Sequence, residues 1–151
     1  LKVTIAYQPV DSVPDMKQPH WDFSDPKPFK SIVRYHDGKP AAVLRLFDVS
    51  LNCRYVQLTC VGIGGVWVRE SLRNKGVGLE FMSTAVQLIG NTQPERVAIL
   101  LFSPERSLYQ GAGFYAIKKS NPTESLWAIA LKPGITIIES DNWEIKPDEH
   151  F

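Results

Sequence analysis

The chain has 151 residues, 44% of them hydrophobic, and a formal net charge of +1 with no block of like charges. That is one domain's worth of chain, with enough apolar content for a single ordinary core. The charge argues against nucleic-acid binding driven by phosphate neutralisation, and no apolar run approaches the roughly 18–20 residues that a membrane span needs.

Lys2 to Tyr7 alternates apolar and polar residues, as a first strand does. Between Pro9 and Pro28 the chain also carries Pro14, Pro19 and Pro26, with no sustained helical period, and reads as loop with at most one helical turn. Ser31 to Tyr35 is a strand, and His36-Asp37-Gly38-Lys39 is a hairpin turn with glycine where positive φ is wanted. Ala41 to Val49 and Tyr55 to Val68 are two further strands, joined around Leu51-Asn52-Cys53. Gly62-Ile63-Gly64-Gly65 inside the second of them predicts a bulge or bend.

A helix is expected next, with Val77, Phe81, Met82, Ala85, Val86, Leu88 and Ile89 on or near one face and Gly90-Asn91 as its stop. Arg96 to Phe102 is a nearly unbroken apolar run, typical of a strand buried on both faces. Ser103-Pro104-Glu105 reads as N-cap, N1 proline and acidic first turn of a short helix running to about Gln110. Tyr115 to Lys118 and Leu126 to Leu131 complete the core strands, and Ile135 to Ile138 is a candidate for one more before an acidic tail. The order predicts a single α+β domain over 1–151, built on one mixed, mostly antiparallel sheet flanked by helices.

The segment from Val66 to Gly90 carries the chemistry. A short apolar strand runs into Arg73-Asn74-Lys75-Gly76-Val77-Gly78, which opens the amphipathic helix. Unpaired N–H groups at such a helix N-terminus, together with the helix dipole, Arg73 and Lys75, make a phosphate-sized anion site. Gly76 and Gly78 are expected to admit a diphosphate close to the backbone and to take positive φ cheaply. A Walker loop needs Gly-Lys-Ser or Gly-Lys-Thr, and neither occurs. Gly62-Ile63-Gly64-Gly65-Val66-Trp67 has tryptophan where a dinucleotide fingerprint needs its third glycine. Cys53 and Cys60 form neither a CxxC pair nor a metal set with the three histidines, so no metal is expected. The opening Leu1-Lys2-Val3-Thr4 does not resemble a secretion signal, and with two cysteines the expectation is a reduced, cytoplasmic protein.

Val66-x-Val68, followed by Arg73-x-x-Gly76-x-Gly78 at a helix start, resembles the acetyl-CoA-binding motif of the Gcn5-related N-acetyltransferase (GNAT) superfamily. Leu108-Tyr109-Gln110-Gly111-Ala112-Gly113-Phe114 is similar to its Tyr-x-x-x-Gly-Phe segment, in the correct order with a buried strand between. The resemblance spans roughly Tyr55 to Leu131. It implies the acyl-CoA N-acyltransferase fold, with acetyl-CoA as co-substrate and a small-molecule or peptide amine as acceptor. It further implies that backbone from Val66 through Trp67 to Val68 pairs with the pantetheine arm, one N–H polarising the thioester carbonyl. Amides of Arg73, Asn74, Lys75, Gly76, Val77 and Gly78 would hold the pyrophosphate, and Tyr109 would protonate the departing thiolate. Ser103 is the candidate to replace the amide residue that the family often has ahead of the tyrosine, if the helix is one residue shorter.

The family usually places two helices between its first and second strands, whereas this stretch is short and proline-rich, which predicts a reduced N-terminal helical region. An open acceptor pocket, a pocket completed by a second subunit in a homodimer, and a truncated N-terminus all accommodate that. Asp48, His36 and Glu70 are the general-base candidates beside an ordered water, and Trp21, Phe23, Phe29 and Trp143 are candidate aromatic liners. Two readings compete with the enzyme: a catalytically silent CoA-binding or sensing module, and a structural domain with a coincidental glycine turn.

Overall fold

The computed structural model describes residues 1–10, 28–104, 107–147 and 151. The strands are β1 (Val3–Gln8), β2 (Lys30–His36), β3 (Lys39–Cys53), β4 (Val56–Val68), β5 (Ala98–Ser103), β6 (Tyr115–Asn121), β7 (Glu124–Ala130) and β8 (Glu144–Lys146). The helices are α1 (Val77–Thr92) and α2 (Ser107–Gly111), with a 3-10 turn at Glu70–Leu72. One sheet takes the order β1-β2-β3-β4-β5-β7-β6, and β8 pairs with β3. All neighbours are antiparallel except β4 and β5, which α1 joins as a parallel pair. The expected mixed, mostly antiparallel α+β sheet is therefore present. Most of the proline-rich stretch, with Trp21 and Phe23, lies outside the described residues.

Each face of the sheet carries its own core. Ile32, Leu44, Leu46, Val61, Ile63, Ile99 and Leu101 point to the first face and meet Phe81, Met82, Ala85 and Ile89 of α1. Burying each of the larger side chains stabilises the fold by about 1.5–3 kcal/mol before entropy is counted. Residues one step along the same strands, Phe47, Val49, Leu51, Cys60, Ala98 and Leu100, build the second face. There the cover is the chain after β7: Ile135, Ile137, Trp143, Ile145 and Phe151.

Local signals mispredicted several boundaries. β3 runs on to Cys53, and the turn into β4 falls at Arg54-Tyr55, with Arg54 at φ 50°. Gly90 does not end α1; a Cβ there would lie 3.8 Å from Leu131, and the helix continues to Thr92. Gln93 closes it by donating its N–H to the Ile89 carbonyl at 2.8 Å. Ser103 is the last residue of β5, not a helix N-cap: it pairs with Ser125, and its carbonyl accepts the Trp127 indole N–H at 3.1 Å. The second helix accordingly starts at Ser107. Ile135–Ile138 forms no strand, and the added strand is β8 on Ser50–Asn52, along the β3 edge beyond Leu46 where β2 has ended.

Candidate functional site

β4 and β5 separate halfway along their length. Their ladder runs from Cys60 opposite Ala98 to Ile63 opposite Leu101 and stops. β4 continues to Val68, held on its other side by β3 through Arg45–Gly64, Val43–Trp67 and Ala42–Val68. The register slips between Val43 and Arg45, and Gly65 sits at φ +60°, so the bulge expected from the glycine cluster is present. A bulge turns the strand away from its neighbour. The result is a fork whose β4 arm, Gly64 to Val68, has backbone without a β5 partner.

The basic turn closes the open end of that fork. Arg69 is anchored by its N–H to the Ala41 carbonyl at 2.8 Å and by its guanidinium to the Pro40 carbonyl. Arg73 folds back, its Nε donating to the Val68 carbonyl at 2.8 Å. Asn74 (φ 61°) and Gly76 (φ +80°) both take left-handed backbone, and Gly76 is the N-cap of α1. The first N–H with a partner inside the helix is that of Glu80, on the Gly76 carbonyl at 3.1 Å. The N–H groups before it are the orphan donors of a helix start. A Cβ on Gly76 would meet nothing within 4 Å, so the turn faces open space, and Lys75 beside it is exposed. Gly78 differs from expectation. It lies inside the helix without positive φ, and a Cβ there would touch Leu108 and Val68 at 3.7 Å, ordinary contact.

That Leu108 contact ties α2 to α1. The next residue, Tyr109, is half-buried against the first core, its ring edge-on to Phe114 with centroids 6.2 Å apart. Its carbonyl accepts the N–H groups of Ala112 at 3.1 Å and Phe114 at 3.0 Å, which folds the helix end into β6. Val66 and Val68 pack on the first core, whereas Trp67 faces the other way, against Val33 and Val43. The turn Arg73–Gly78, the β4 arm and the α2 turn bearing Tyr109 thus gather around one fork. Ser103 stands at the end of the β5 arm, buried.

The acid–base candidates do not gather there. Asp48 is bound by Arg96 and pairs with Val61, on the ladder side of the fork. His36 is buried, and its Nε2 accepts from Arg34 Nε at 2.8 Å. Glu70 is exposed on the 3-10 turn. Phe29 packs on the first core beneath the Arg96 guanidinium. Burial pushes the Cys60 thiol up to about 12, only partly offset by backbone hydrogen bonds and Arg96. It is therefore not a thiolate nucleophile near neutral pH. Burial likewise lowers the Arg45 pKa. Among the described residues no group of His, Cys, Asp or Glu is placed to hold a metal, and no helix is long and apolar enough to cross a membrane.

Two arrangements escaped the motif reading. Arg34 links His36 to Glu80 in the first turn of α1. On the second face, Gly62 and Gly64 lie under Phe151, and the signal available for that was their period-two spacing on one strand. Beyond Phe102 the same face carries a cavity of about 380 Å³, lined by Lys118, Ser120, Trp143 and Lys146 among others.

The sequence model of the acetyltransferase (GNAT) family matches residues 3–114. No curated protein sequence matches. Among solved structures, a GNAT-family N-acetyltransferase from Escherichia coli (YhbS) in complex with CoA aligns with TM-score 0.56 and 17% identity, over 74% of this chain and 66% of that one. A mutant AtaT toxin bound to the C-terminus of the antitoxin AtaR aligns with TM-score 0.61 and 12% identity, over 85% and 93%. A GCN5-related N-acetyltransferase from Kribbella flavida aligns with TM-score 0.53 and 18% identity, over 58% of this chain, which spans 22% of its length. Escherichia coli ElaA aligns with TM-score 0.51 and 22% identity, and the chain spans 66% of it. At these identities the likeness is one of fold. The family match over most of the chain settles the membership: this protein belongs to the GNAT acetyltransferase family.

Proposed function

We propose that the protein is an acetyl-CoA-dependent N-acetyltransferase that moves the acyl group to a primary amine by direct attack. The observation that carries this is the fork beyond Ile63 and Leu101, closed by a turn whose Gly76 has left-handed backbone and open space above it. When bound, CoA supplies an acyl group activated as a thioester. The Arg73 N–H is taken by the Glu70 carbonyl at 3.2 Å, so the orphan N–H groups from Asn74 to Gly78 hold the pyrophosphate, helped by the Arg73 and Lys75 side-chain charges and the dipole of α1. Backbone of Val66 to Val68 pairs with the pantetheine arm, and one of its N–H groups meets the charge that grows on the thioester oxygen. The amine nitrogen bonds to the carbonyl carbon as the carbon–sulfur bond breaks. Tyr109 gives its phenolic proton to the departing sulfur, and water takes the proton that the amine loses. A Cys60 thiol held up to about 12 supports direct transfer over a cysteine-bound acyl group.

Calorimetry with CoA tests the assignment through Gly76→Val. A β-branched residue resists φ +80°, and its side chain would fill the space that the phosphates need. CoA affinity is expected to fall at least about tenfold, from backbone strain of about 1–2 kcal/mol or more. Unchanged affinity would remove the turn from the site. The second reading, a silent CoA-binding module, is favoured by the engagement of His36 with Arg34 and of Asp48 with Arg96. Tight CoA binding without transfer to any of a panel of amines would establish it.

A further inference from the structure

The second face carries an open cavity of about 380 Å³ that none of the roles above uses. Its floor is a row across three strands: Phe102 on β5 pairs with Leu126 on β7, which pairs with Lys118 on β6. Trp143 and Ile145, from the chain that covers this face, close the cavity on its other side. That cover is fixed in place. β8 is held to β3 at Ser50–Asn52, the Trp143 indole N–H donates to the Ile138 carbonyl at 2.8 Å, and Lys118 Nζ donates to the Trp143 carbonyl at 2.6 Å. Ser120, Glu144 and Lys146 also line the cavity and are exposed, so it opens to solvent without any part of the fold moving. A volume near the lower end of the roughly 300–1,000 Å³ of small-molecule pockets suits one small ring system.

We propose that this cavity binds a small aromatic carboxylate. Lys118 is half-buried there, and no ion pair of the described residues involves it or Lys146. The Trp143 carbonyl takes one of the three ammonium donors of Lys118, which leaves two for a ligand. With two lysines against the single carboxylate of Glu144, the lining favours an anion over a cation. Phe102 and Trp143 offer ring surface to a planar aromatic group, and Leu126 and Ile145 add apolar contact. A half-buried ammonium–carboxylate pair is screened less than one on the open surface. The cavity is distinct from the acceptor position of the transferase reading. Lys118 lies two strands, about 10 Å, across the sheet from β5, so a carboxylate held there stays clear of the fork. The site stands or falls without CoA.

The test is calorimetric titration of indole-3-acetate and of its neutral isostere indole-3-acetamide into the full chain, without CoA. The carboxylate is expected to bind at least about tenfold more tightly than the amide, the worth of a hydrogen bond to a charged group. Lys118→Met should erase that preference, and Ser120→Trp, which fills the cavity from its exposed rim, should block both ligands. No saturable binding of indole-3-acetate at millimolar concentration overturns the proposal. So does a smaller preference over the amide, or one that survives Lys118→Met. Lys118 also holds the Trp143 carbonyl, so its variant is checked for folding by circular dichroism. If that variant does not fold, Ser120→Trp decides alone, and indole-3-acetate binding that persists in it sinks the site. Failure of CoA to bind would remove the transferase reading and leave this result untouched.

Discussion

Arg34 reaches from the middle of β2 to the first turn of α1, where its Nη1 lies 3.3 Å from Oε1 of Glu80 while its Nε donates to His36. Glu80 suits a helix start by dipole, yet it adds negative charge beside a turn proposed to hold pyrophosphate. The nearly buried guanidinium offsets that charge. Because His36 Nε2 accepts from Arg34, its ring proton sits on Nδ1 and its basic nitrogen is engaged. Arg34→Met should cost about 1–3 kcal/mol, mostly by leaving the buried imidazole acceptor unpaired, since the Glu80 partner is exposed. Chemical denaturation checks the stability. CoA affinity should fall in parallel at low salt and recover in Glu80→Gln/Arg34→Met, where no uncompensated carboxylate remains.

Tyr109→Phe separates a proton donor from a packing ring. Tyr109 lies against the first core with its ring edge toward Phe114, and phenylalanine keeps that contact. Folding stability and CoA affinity should therefore stay close to those of the unmodified protein. Turnover should drop by about 10²–10⁴, the usual contribution of a positioned acid, with little change in KM. Steady-state kinetics beside a CoA titration read both quantities. Unaltered turnover would take Tyr109 out of the mechanism and leave it a core residue.

The strand–turn–helix at the fork was legible because its determinants are local. Gly76 is needed where the backbone turns left-handed, and the Arg96–Phe102 run announces a strand covered on both faces. Local rules failed where tertiary contacts outweighed them. Gly90 looked like a helix stop, but it lies against Leu131. Ser103 looked like an N-cap, but β7 claims it through Ser125 and Trp127. β8 was invisible because its partners Ser50–Asn52 lie far away in sequence and supply an edge that local propensity cannot report. The same holds for Gly62 and Phe151, which meet only once the sheet is built.

Cys60 gives the fold a signature at alkaline pH. Its thiol is raised to about 12 from an ordinary 9.0 by burial, so the folded state keeps a proton that the unfolded state releases. The unfolded chain then binds fewer protons, and stability falls with pH from about 9 to about 12. The slope approaches about 1.4 kcal/mol per pH unit from this residue alone. Cys60→Ala should be less stable than the parent at pH 7 by the packing it loses, and the gap should narrow across that window. Denaturation at several pH values reads the difference, which cancels the lysine and tyrosine titrations common to both chains. A gap constant with pH would mean that the thiol is not held up by burial. Iodoacetamide gives a second readout, because the half-buried Cys53 should be alkylated in the native state well before Cys60.

Trp127 supports the fork from beneath. It is fully buried on β7, and its indole N–H donates to the carbonyl of Ser103, the residue that ends the β5 arm. Trp127→Phe removes that donor and part of the ring, leaving a small void beside the Ser103 carbonyl. The expected cost is about 0.5–1.5 kcal/mol for the lost hydrogen bond with a further packing loss. The change should also be felt at the site, because the end of β5 sets how far Ser103 and Phe102 stand from the β4 arm. A loss of stability accompanied by weaker CoA binding would mark the β5 terminus as part of the cleft. Equal destabilisation with CoA binding intact would confine Trp127 to the core, and the width of the fork would then be set by the Gly65 bulge on β4 alone.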